Sequence, residues 1–94
     1  MKLVDVVTQL SELNADASIF AAKIDGTFTP QSPARIVLLT SEETDKSLDV
    51  VADAHCPGMM YLVDVDIAQG IIDSATGDEP VTKTLALIAY VVSG

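Results

Sequence analysis

Ninety-four residues make one domain, residues 1–94, long enough to bury a core without covalent staples. Hydrophobic residues are 49% of the chain and mean hydropathy is +0.39, which excludes a disordered segment; with two Phe, two Tyr and no Trp, the core is aliphatic. Fourteen acidic against five basic residues give a formal net charge of −9. That balance argues against nucleic acid and anionic membrane surfaces as ligands, because both need Lys and Arg. It permits a basic protein partner, and it also keeps an apolar domain soluble.

The first element is a helix, with Leu3, Val6, Val7, Leu10 and Leu13 at helical spacing and Asn14 suited to end it in the left-handed conformation. Asp5 and Glu12 interrupt the apolar pattern and no small-residue cleavage signal follows, so this stretch is not a secretory signal. "ASIFAA" at 17–22 and "ARIVLL" at 34–39 are strands. The turn-rich "DGTFTPQSP" between them implies a hairpin with a long, mobile loop.

Thr40 and Glu43 have capping-box spacing and predict a helix over 41–54, which Pro57-Gly58 stops. At about 100° per residue, Glu42, Asp45, Asp49 and Asp53 fall on one edge of it. Such an acidic ridge is a docking strip for a basic protein, although a charge stripe of this kind is ordinarily a solvated face.

Residues 59–65 form a third strand. Simple alternation sets Met59, Tyr61, Val63 and Val65 on one face and Met60, Leu62, Asp64 and Asp66 on the other. Asp66 and Gln69 then have the spacing of a capping box for a helix whose apolar stripe is Ile67, Ala68, Ile71 and Ile72. Gly70 inside that helix implies close approach of a neighbouring element, since glycine there costs about 1 kcal/mol against alanine. Pro80 opens a last helix with Val81, Leu85, Ile88 and Val92 on one face. A buried strand over "TLALIAYVV" (84–92) is the alternative, and the cap signals and Leu/Ala content favour the helix. That run has nine residues, short of the roughly 18 a membrane span needs. These elements give an α+β domain with a short, mainly antiparallel sheet of about three strands packed by three to four helices.

"YLVDVDIAQGIID" followed by "TLALIAYVV" resembles a pattern in small bacterial proteins. In these a Tyr-Leu-(Leu/Val)-(Glu/Asp)-Val strand runs into a helix and a Tyr-containing helix closes the chain. Some are carried on mobile gene cassettes or beside toxin genes. The resemblance covers roughly the last third of the chain. It implies an α+β domain without an assigned function and brings no functional residues with it.

Chemistry is sparsely represented. Asp64 and Asp66, about 7 Å apart on one strand face, are too few to ligate Mg²⁺, and a cap accounts for Asp66. His55 and Cys56 are the only His and Cys, which is insufficient for a structural zinc site and provides no oriented nucleophile. A single cysteine forms no intrachain disulfide, and the cytoplasm follows by elimination. No catalytic, cofactor-binding or metal-ligating residue is assigned, and no cofactor is expected. The reading is a non-enzymatic binding or protein-interaction domain. It is expected to self-associate as a homodimer, because residues 59–65 and 81–92 carry more apolar surface than so small a core can hide. One alternative is an immunity- or antitoxin-like protein that masks a basic partner. The other is a small-ligand binder or enzyme with a pocket near Tyr61 and Asp64.

Overall fold

The computed structural model describes residues 1–38, 47–74 and 79–93. Its elements in chain order are α1 (Leu3–Thr8), a 3-10 turn (Leu10–Glu12), β1 (Ser18–Ala21), β2 (Ala34–Val37), α2 (Leu48–His55), β3 (Met60–Asp64), α3 (Val65–Ser74) and α4 (Pro80–Ser93). The strands form one antiparallel sheet in the order β2-β1-β3, so the predicted α+β class and the β1–β2 hairpin both hold. Residues 84–92 are helix.

β1 is buried at all four positions and therefore needs cover on both sides. Ile19 and Ala21 point to the larger cluster, which receives Leu3, Val6 and Val7 of α1, Val65 and Ala68 of α3, and Leu87 and Ile88 of α4. Phe20 points the other way, into a smaller cluster with Val37, Val51, Ala52 and Cys56, closed by α2. Completely buried Phe20 contributes about 2–3 kcal/mol by area.

The first helix is shorter than its apolar spacing suggests. α1 stops at Thr8 and the chain tightens into the 3-10 turn, which keeps Leu10 buried. Asn14 does not adopt the left-handed conformation; its side-chain oxygen accepts from the Asp16 amide at 2.9 Å, a local turn that suits Asn equally well.

The segment between β1 and β2, expected to be mobile, is folded. Asp25 (φ 52°) and Gly26 (φ 84°) make the positive-φ pair of a tight turn, flanked by the Ile24–Thr27 bridge. The carbonyls of Ser32 and Pro30 accept from Leu3 N–H (2.8 Å) and Val4 N–H (3.0 Å). These are first-turn amides of α1, which have no partner within their own helix. The loop thus caps α1, and the Asp5 carboxylate accepts from Lys2 N–H at 3.0 Å to complete that end.

The helix expected over 41–54 begins at Leu48. Ser47 is extended (φ −65°, ψ 149°) and its hydroxyl accepts from Val50 N–H, the geometry of an N-cap. The Thr40–Glu43 capping box lies outside the described residues.

In α3 the apolar stripe is Val65, Ala68, Ile71 and Ile72, with Ile67 exposed. Gly70 does not mark a close approach: a Cβ added there meets nothing within 4 Å. In α4 the buried line is Thr84, Leu87 and Ile88, backed by Val91, whereas Val81, Leu85 and Val92 of the predicted face are exposed. Thr84 lies in the interior at no hydrogen-bonding cost because its hydroxyl donates to the Pro80 carbonyl at 2.6 Å.

With open space around an exposed helical glycine, only its backbone entropy remains. Gly70→Ala is expected to raise stability by about 1 kcal/mol, read as a higher urea midpoint at unchanged slope.

Candidate functional site

A β-bulge in β3 creates the most organised polar group in the structure. β1 pairs with β3 as Ser18–Asp64, Ile19–Val63, Phe20–Tyr61 and Ala21–Met60, so Leu62 is an extra residue opposite the step from Ile19 to Phe20. Three residues apart on a regular strand, Tyr61 and Asp64 would face opposite ways, as the alternation in the sequence suggests. The bulge reverses that phase. Leu62 and Val63 both enter the larger cluster, and Tyr61 joins Asp64, Ser18 and Phe20 on the α2 side.

On that side the Tyr61 hydroxyl donates to Asp64 Oδ1 at 2.8 Å and the Ser18 hydroxyl donates to the same oxygen at 3.0 Å. The Tyr61 ring meets Phe20 edge-on, with centroids 5.8 Å apart and planes at 77°. Burial, followed by the hydrogen bond to Asp64 and its negative charge, pushes the Tyr61 phenol up to about 12. Two donors on one carboxylate oxygen clasp the end of β3 to the start of β1. The Val65 amide reinforces the join by donating to the Ala17 carbonyl at 2.9 Å.

Asp66 is not an N-cap. It sits exposed within the first turn of α3, where its charge favours the helix dipole. Nor does Gln69 reach back in a capping box; its side-chain amide donates to the Leu10 carbonyl at 2.9 Å and ties α3 to the 3-10 turn. Asp64 and Asp66 therefore lie on different elements and do not share a strand face.

Tyr61 also lines a recess of about 360 Å³, with Phe28, Met60, Val91 and Val92 as its apolar walls and Lys23 at its side. The Lys23 ammonium stands 5.6 Å from the Phe28 ring centroid. Asp64 is not among the lining residues; its carboxylate is turned toward Ser18 and Tyr61.

Glu42 and Asp45 lie outside the described residues. Asp49 and Asp53 are both in α2, and Asp53 is exposed. A ridge through all four needs one continuous helix, and the extended backbone of Ser47 interrupts it between Asp45 and Asp49. Cys56 is buried; burial raises its thiol pKa and the nearby Arg35 charge opposes that rise. Among the described residues no group of three His, Cys, Asp or Glu side chains could hold a metal ion, and no helix is long and apolar enough to cross a membrane.

Ser18 is the member of this group that reading the sequence did not single out. One serine in an apolar strand carries no signal, and its role depends on a register set by the bulge. Comparison with protein-family models, curated proteins and solved structures gives no match.

The clasp is testable in two ways. Tyr61→Phe keeps the ring and removes one donor, and is expected to cost about 1 kcal/mol in chemical denaturation. An unfolded tyrosine titrates near 10 and the folded Tyr61 near 12, so the native state holds its proton more tightly. The associated stability is complete below about pH 10 and is lost as pH rises through about 12. Alkaline difference absorbance of a Tyr90→Phe variant isolates this phenol; a midpoint near 10 would contradict the clasp.

Proposed function

We propose that this chain is a non-enzymatic protein-interaction domain that self-associates as a homodimer. The observation that carries the reading is the outer side of α4. Val81, Leu85 and Val92 are all exposed there, along a helix whose Thr84, Leu87 and Ile88 are already packed in the core. Large apolar side chains gathered on one element mark an interaction surface more often than scattered ones do.

The polar chemistry supports a binding role over a catalytic one. The Ser18 and Tyr61 protons are both directed at Asp64, and the raised Tyr61 phenol is a poor acid or nucleophile near neutral pH. A cluster that satisfies itself stabilises the fold without offering an unpaired group to a substrate.

Size-exclusion chromatography with light scattering at tens of micromolar protein tests the reading. The expected mass is twice the 9.9 kDa of one chain, and a monomer throughout that range would overturn self-association. Ser18→Ala is expected to leave the dimer mass unchanged, because its hydroxyl lies on the α2 side of the sheet.

A further inference from the structure

We infer that the outer face of α4 is a two-fold interface with a second copy of this chain, the two helices crossing antiparallel near Leu85 and Ala89; the inference rests on the self-association reading and gives it a surface. α4 runs PVTKTLALIAYVVS, with Lys83 as its one charged side chain. Lys83 is half-buried and lines a recess with Ile72 and Asp73 of α3, so it does not stand on the outer face. That face carries Val81 (46% exposed), Leu85 (52%) and Val92 (70%), with Ala89 beside them. A helix apolar on its outer as well as its inner side belongs in an interior.

Charge points to an identical copy as the occupant. Two chains of net charge −9 repel wherever acidic faces meet. Asp5 is on α1, Asp49 and Asp53 are on α2, and Asp66 and Asp73 are on α3. Among the described helices α4 alone has no carboxylate. A basic protein is drawn to the acidic helices, whereas a second copy meets least repulsion across α4.

The order of residues along the face also permits pairing about a two-fold axis. Val81 stands at its N-terminal end, and the C-terminal end adjoins the recess of about 360 Å³ walled by Val92, Met60 and Phe28. An antiparallel pair about a two-fold axis places Val81 of each copy over the Val92 end of the other, the reciprocal contact that an isologous interface requires. Ala89 at the crossing lets the axes approach toward the short end of the 8–10 Å range.

Light scattering over a dilution series of wild type, Leu85→Asp, Val92→Asp and Val50→Asp is the test, with circular-dichroism melts confirming that each folds. Val50 is 53% exposed on α2, across the sheet from α4, and serves as the control. An unpaired carboxylate buried in an apolar interface should raise the dimer Kd about a hundredfold or more, so both α4 variants become monomers while Val50→Asp remains dimeric. Leu85→Lys should do the same and separates burial of charge from general acidity. If wild type is dimeric and the α4 variants stay so, the interface lies elsewhere and only the self-association reading stands. If wild type is monomeric, both fail. Monomeric wild type that binds neutral phospholipid vesicles would assign the face to lipid and likewise overturn the inference.

Discussion

β1 has only four residues, Ser18–Ala21, and every one of them is buried. A strand in that position must have both hydrogen-bonding edges filled and an apolar layer against each face. β2 and β3 fill the edges. The layers follow from the alternation of Ile19 and Phe20, which sends one side chain to α1, α3 and α4 and the other to α2. The edge strands are also blunted. The Met1 carbonyl accepts from Ala34 N–H at 2.8 Å at the start of β2, and Lys2 bridges to Pro33. β3 is bent by its bulge, and such features disfavour indiscriminate strand pairing.

The bulge reconciles two demands on β3. The larger cluster takes both Leu62 and Val63, which are consecutive and in a regular strand would diverge. One extra residue allows both to turn inward and returns Tyr61 to the Phe20 side. The consequence is a pair of hydroxyls converging on Asp64, with no polar side-chain atom left unsatisfied in the interior among the described residues. Packing thus sets the register, and the register creates the polar group.

Legibility in the sequence followed the reach of each signal. Strands at 17–22, 34–39 and 59–65 were visible because short apolar runs near turn residues are local features. The turn-rich composition of 25–33 was visible for the same reason, but reading it as a long, mobile loop missed the tight Asp25-Gly26 turn, whose positive φ values demand those residue types. The bulge was not visible, since "YLVD" alternates acceptably in either phase. Gly70 misled because a glycine in a helix has two causes, close approach or tolerance, and only the surrounding atoms distinguish them. The 41–54 helix overran because Thr40 and Ser47 are both acceptable caps, and Ser47 is the one followed by a described helix. Of the candidate site, Tyr61 and Asp64 were named from the sequence, but their shared face and the Ser18 partner depend on contacts 46 residues apart in the chain.

α4 shows why apolar periodicity fails when apolar residues occur all round a helix. Val81, Leu85, Ile88 and Val92 form a sound stripe, and so do Leu87, Ile88 and Val91 with Thr84 at their head. The structure buries the second. Thr84 is the less hydrophobic choice, yet it is buried with its hydroxyl satisfied by the Pro80 carbonyl. Choosing that side leaves the more hydrophobic stripe outside. A chain with 20% charged residues has ample means to make an exposed stripe polar, and on α1, α2 and α3 carboxylates stand where they meet solvent. The absence of any carboxylate from α4 is therefore a local departure from the chain's own pattern. An apolar outer stripe is costly to a domain that works alone and useful to one that does not, and this contrast within a single chain directs attention to α4 ahead of the internally satisfied clasp.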